Sequence, residues 1–245
     1  MALSRQIRTL LRCTVVAVLA SVGAPGQATP TTPSTQNPQP GPIQPPPLLI
    51  VIDPAHGGTD AGAALNAAIP EKDVTLVVAR RLRQELIARG LQSLLVRDGD
   101  ATLSTDQRAA AVNSMHASLY VAVHATSQGN GMRLYSAMLS AGKDSRGPFL
   151  DWETAQESVL ARTRSIQNQI AASIQQTGFP VHSLIAPVRP LNNLIVPALA
   201  IEIAPTTADV SQLAFSDYQQ MVCATLANAI ASVAPQLRLR SGLSP

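Results

Sequence analysis

Three short, almost wholly apolar runs constrain this chain more than any other feature: Leu48–Ile52, Leu119–Val123 and Ala198–Ile203, the last interrupted only by Glu202. Runs this short, apolar on both faces, read as strands buried in the middle of a sheet. Segments of helical spacing lie between them. From Glu71 to Arg89 the residues Val74, Val78, Leu82 and Leu86 recur on one helix face, and Gly90 closes it. Leu91–Val96 is a second strand. Ser104-Thr-Asp-Gln107 has the form of a capping box and opens a helix to about Met115. Met132–Leu139 is a further strand of weaker pattern. Residues 141–153, ending near Trp152, read as a loop. A long helix follows from Thr154 to Gln176, with Val159, Ile166, Ile170 and Ile174 on one side, and ends at Gly178-Phe-Pro180. Pro187–Pro197 is turn-rich. A last helix covers Ser216–Val233.

Strands alternating with amphipathic helices predict a single α/β domain. Its twisted sheet is largely parallel (mixed), flanked by helices on both faces. In such folds ligands bind beyond the carboxyl ends of the strands.

The N-terminal part does not belong to that domain. Arg5, Arg8 and Arg12 precede an apolar stretch, Cys13–Val22, which runs into small residues and Gly26-Gln-Ala28. This is the build of a secretory signal peptide, residues 1–28; the other reading is an uncleaved anchor. Residues 29–47 form a Pro/Thr-rich linker biased to extended conformations. The domain is then residues 48–245, without a transmembrane span. Of the 18 Lys and Arg, three lie in residues 1–28, which leaves 15 basic residues against 15 acidic ones. The net charge of +3 therefore comes from the leader, and no basic footprint for nucleic acid remains. Cys223, the one cysteine outside the leader, reads as a buried thiol.

Four residues suggest chemistry. His56 follows the first strand in Asp53-Pro-Ala-His-Gly-Gly58, and His124 ends another strand. Glu71 opens a helix, and Glu202 lies within an apolar strand. Two imidazoles and a carboxylate make a catalytic zinc set with one position left for water, and a further glutamate can serve as base. Each residue also has an ordinary reading. A histidine can be a hydrogen-bonded core residue. Glu71 can complement the helix dipole. Glu202 can form a buried ion pair with Arg97 or Arg189, since a carboxylate left unpaired in a buried strand is costly. Asp53 and Asp60 are candidates to accept the second imidazole proton of His56. His116 suits a helix end, and His182 lies in a turn-rich region.

These motifs resemble those of the zinc-dependent N-acetylmuramoyl-L-alanine amidases of bacterial cell-wall turnover. The resemblance runs through Asp53-Pro-Ala-His-Gly-Gly58, Glu71-Lys-Asp73, the stretch containing Arg97, Asp100, Leu103 and Arg108, Val123-His-Ala-Thr126, and Ile201-Glu-Ile-Ala-Pro205. It implies one zinc per chain held by His56, Glu71 and His124, with Glu202 catalytic and peptidoglycan as substrate. It also implies a periplasmic or cell-envelope location and a possible protein activator; oligomeric state is left open. Thr126, Ala204-Pro205 and Arg189-Pro-Leu-Asn-Asn193 depart from the pattern and bear on substrate contacts. Residues 141–157 are candidates for a lid, a plug or a carbohydrate contact. Other readings are a zinc peptidase or deacetylase acting on another amide, and a non-catalytic wall-binding domain.

Overall fold

Strands form where the apolar runs predict them. β1 is Leu49–Pro54, β2 Gln92–Leu95, β3 Leu119–Ala125, β4 Gly131–Ala137, β5 Val181–Ala186 and β6 Ala198–Ala204. The helices are α1 Glu71–Ala88, α2 Thr105–Ser114, α3 Glu157–Gln175, α4 Ser216–Ser232 and a short α5, Ala234–Arg238. The computed structural model describes residues 47–139 and 154–238. The expected signal peptide, the linker up to residue 46 and the loop holding Trp152 lie outside them.

The six strands make one mixed sheet in the order β2-β1-β3-β6-β4-β5. β2, β1, β3 and β6 run parallel; β4 is antiparallel to β6 and parallel to β5. The expected α/β architecture is therefore present, with the two strands of opposite sense at one edge.

The two faces of the sheet carry different layers. One face presents Ile50, Ile52, Val121, Leu134, Leu199 and Ile201 to α1, α3 and α4, whose Leu82, Ile166, Ile170 and Leu226 are fully buried. Burying each such side chain stabilises the fold by about 1.5–3 kcal/mol. The other face is lined by smaller residues, Ala122, Ala198 and Ala200 beside Val51 and Tyr120. Among the described residues its cover comes mainly from α2 and the segment 188–196, with Leu160 of α3 beside them. This thin face leaves room for a site.

Local signals explain most boundaries. Ser104 caps α2 by accepting from the Gln107 N–H at 3.1 Å, while the Gln107 side chain accepts from the Ser104 N–H at 2.8 Å, so the capping box is formed. α1 ends at Ala88 with Arg89 as its C-cap, and Gly90 follows with φ 75°. Sequence reasoning left out β5, because it read the region around His182 as turn-rich. Its four central residues are exposed, so it lacks the alternation that marks a half-buried strand. Its pairing with β4 creates it. No helix among the described residues is long and apolar enough to cross a membrane.

Candidate active site

The loop after β1 presents the first histidine. His56 is in the left-handed region at φ 63°, an arrangement that costs on the order of 1–3 kcal/mol for a residue with a Cβ. Two buried arginines hold the loop there. Arg97 donates to the carbonyls of Pro54 at 2.9 Å, Ala55 at 3.0 Å and Gly99 at 3.0 Å. Arg108, from α2, donates to the carbonyls of Pro54 at 3.0 Å and His56 at 2.6 Å. Arg108 in turn ion-pairs with Asp53, whose other oxygen accepts from the Tyr120 hydroxyl at 2.6 Å.

Three candidate ligands then converge. Glu71, 5 % exposed at the start of α1, lies between the imidazoles. Its Oε2 is 3.1 Å from His56 Nε2 and its Oε1 is 3.0 Å from His124 Nδ1. One nitrogen or oxygen from each residue falls within 4.8 Å of the others, a spacing that one metal ion can bridge. The other imidazole nitrogen of His56 bonds Asp60 at 2.8 Å, which turns Nε2 toward the cluster. Glu71 also accepts backbone N–H bonds from Ala63 at 3.0 Å and Ala125 at 3.2 Å. Gly62 closes the cradle: a Cβ there would lie 2.7 Å from His56 Cδ2 and 2.8 Å from Glu71 Oε2.

Electrostatics favour a cation in this cradle. Burial alone would push the Glu71 carboxyl up, but hydrogen bonds from His124, His56 and the Ala63 N–H outweigh it and hold the group far below the usual carboxylate range. The bond to Glu71 raises the His56 imidazole, against desolvation and with further help from Asp60. A buried carboxylate kept ionised between two imidazoles is a donor set suited to a divalent ion such as zinc.

Glu202 sits beside this cluster by register. It pairs laterally with His124 across β3 and β6, so the two side chains stand on the same face of the sheet. On its other side β4 supplies Arg133, whose Nη1 is 2.6 Å from Glu202 Oε2, and Tyr135, whose hydroxyl donates to the same oxygen at 3.0 Å. The neighbouring cleft, about 130 Å³, is walled by His56, His124, Tyr120 and Arg189 with Leu103 and Pro190.

The structure thus brings His56, Glu71, His124 and Asp60 into one cluster with Glu202 next to it. It separates other candidates from the roles considered for them. Asp53 faces Arg108 and Tyr120, not the imidazole of His56, and acts on that loop only through Arg108. Arg97 is committed to backbone carbonyls, and the ion-pair partner of Glu202 is Arg133 rather than Arg97 or Arg189. Arg189 lines the cleft. His182 belongs to the edge strand β5, where it is exposed. Sequence reasoning missed Arg133 and Tyr135. The alternation Met132-Arg-Leu-Tyr135 places both on one face of a strand, but nothing in the sequence makes that strand the neighbour of β6.

Comparison with known proteins points to one family and one fold. The family model described as N-acetylmuramoyl-L-alanine amidase matches residues 50–232. The N-acetylmuramoyl-L-alanine amidase AmiC of Escherichia coli O6:H1 is 37 % identical over 95 residues, 38 % of this chain and 23 % of that protein. The match thus spans about a quarter of that relative's length. Among solved structures, the amidase AmiC2 of Nostoc punctiforme superposes with a TM-score of 0.57 at 26 % identity, covering 77 % of this chain and 97 % of its own. The N-acetylmuramyl-L-alanine amidase of Mycobacterium smegmatis gives a TM-score of 0.62 at 19 % identity, over 77 % and 97 % of the two chains.

Proposed function

Given that the chain belongs to the N-acetylmuramoyl-L-alanine amidase family, we propose that it is a zinc-dependent hydrolase cleaving the amide between N-acetylmuramic acid and L-alanine in peptidoglycan. The observation that carries this reading is the cluster of His56, Glu71 and His124, with its converging donor atoms, beside Glu202. His56, Glu71 and His124 would hold the ion, with Asp60 fixing the His56 ring. Bound there, zinc would polarise the amide carbonyl and lower the pKa of water toward about 7.

The chain's own residues supply the rest. Glu202 takes a proton from the attacking water and returns it to the leaving amine nitrogen, which expels the peptide. The thin, alanine-lined face of the sheet leaves the cleft for the substrate, and Arg189 at its wall is placed to contact it. Residues 1–28 would direct export to the cell envelope, and residues 29–47 would space the domain from the leader.

The test is hydrolysis of isolated peptidoglycan by the purified protein, with zinc and with chelator, the soluble products being read by mass spectrometry. Free stem peptides beginning in L-alanine, lost on chelation and in Glu202→Ala, are the expected result. Release of a different amine would indicate a peptidase or deacetylase. Zinc bound without any release would indicate a required activator or a purely wall-binding role. No bound zinc would overturn the reading.

A further inference from the structure

On the amidase reading, on which this inference rests, Glu202 is the general base. Glu202 is the middle member of a row that crosses the sheet. His124 on β3, Glu202 on β6 and Arg133 on β4 are lateral neighbours in register, so their side chains share the thin face. Tyr135, two residues along β4, stands on that face as well. Both Arg133 Nη1 and the Tyr135 hydroxyl bond the same carboxylate oxygen, Oε2, at 2.6 and 3.0 Å. Among the described residues, none bonds Oε1.

Arg133 is itself held from its far side. Its Nη2 donates to the Gln128 carbonyl at 2.9 Å, in the turn that joins β3 to β4. Gly129 in that turn makes space for it, since a Cβ there would lie 1.9 Å from Nη2. The guanidinium is therefore wedged between a backbone carbonyl and Glu202. Its side chain and that of Glu202 are each 25 % exposed. The attraction is mutual: the bond to Glu202 raises the Arg133 guanidinium, and burial together with that same carboxylate raises the Tyr135 phenol.

A carboxylate with three rotatable side-chain bonds can point many ways, and a general base must be held within hydrogen-bond reach of the proton that it takes. We propose that Arg133 and Tyr135 are positioning residues. They clamp Oε2 of Glu202 so that Oε1 is the atom that accepts the proton from water and later returns it to the leaving nitrogen. In this arrangement they orient the base without touching the reacting atoms.

The experiment compares kcat and KM on a soluble muramoyl-peptide for the wild-type protein, Arg133→Gln, Arg133→Lys, Tyr135→Phe and Glu202→Gln. Bound zinc and melting temperature are checked for each. Loss of the clamp is expected to lower kcat about tenfold or more in Arg133→Gln, and by a smaller factor in Tyr135→Phe, as expected when a base of about 10²–10⁴-fold effect is misaligned. KM and zinc content should stay close to wild type, and Arg133→Lys should recover part of kcat, because an ammonium restores the charge but not the fork. Unchanged kcat in Arg133→Gln, with Glu202→Gln inactive, would overturn the clamp while leaving the base intact. A rise in kcat would mean that Arg133 restrains Glu202, which also overturns it. A change confined to KM would assign Arg133 to substrate binding instead. If Glu202→Gln retained full activity, the failure would belong to the underlying reading of Glu202 as base.

Discussion

At the scale of single residues, the candidate metal cradle depends on an absence as much as on its donors. Gly62 has φ 68°, and a methyl group there would overlap both the ring of His56 and the carboxylate of Glu71. Gly62→Ala is therefore expected to separate two of the three candidate ligands and abolish tight metal binding, measured by competition with a chromophoric chelator. Asp60 acts more gently. It fixes the tautomer and ring plane of His56 through one hydrogen bond at 2.8 Å, so Asp60→Ala should weaken metal affinity by roughly 10–100-fold with the fold intact. Unchanged affinity would remove Asp60 from the metal centre. Asp53 carries a different burden. It is 1 % exposed and neutralises Arg108 inside the fold, so Asp53→Ala leaves a buried cation unpaired and should lower unfolding free energy by about 3–5 kcal/mol, read from urea denaturation.

At the scale of elements, α2 is the thinnest support of the site and its start is well defined. Its residue Arg108 reaches back to the His56 carbonyl, and Leu103 and Thr105 at its beginning wall the cleft. Removing the cap with Ser104→Ala should cost about 1 kcal/mol in urea denaturation. Most elements were legible because they carry their own local cause. The capping box marks α2, helical spacing marks α1, α3 and α4, and apolar runs mark β1, β3 and β6. β5 was not legible, since an exposed edge strand exists through pairing with β4 and not through its own pattern. The pairing of Glu202 with Arg133 was hidden for the same reason: it follows from strand order, which local sequence does not encode. Cys223 illustrates the reverse case. Its helical, apolar neighbourhood already pointed to a buried thiol, and burial pushes that thiol up to about 12. It should resist alkylation by iodoacetamide in the native protein and react only on unfolding, read at the peptide that holds Cys223 because Cys13 is a second thiol.

At the scale of the whole molecule, the site arises because the two faces of one sheet are unequally covered. α1, α3 and α4 fill the side lined by branched side chains, while among the described residues the alanine-lined side is covered mainly by α2 and segment 188–196. The proposed ligands come from three separate places in this frame: the loop after β1, the first turn of α1 and the end of β3. A cation held by all three would add a tie to elements already joined by strand pairing and hydrogen bonds, and no unfolded chain holds these donors together. Binding to the native state alone must therefore stabilise the fold, by about 2.7 kcal/mol at a free metal concentration 100 times the dissociation constant. For a domain of this size that corresponds to a rise in melting temperature of roughly 5–10 °C on adding zinc to chelator-stripped protein. The rise should vanish in His124→Ala. It should persist in Glu202→Gln, because Glu202 is proposed as base and not as ligand. Equal loss of the shift in both variants would make Glu202 part of the metal shell, and no shift in the wild-type protein would mean that the cradle does not take zinc.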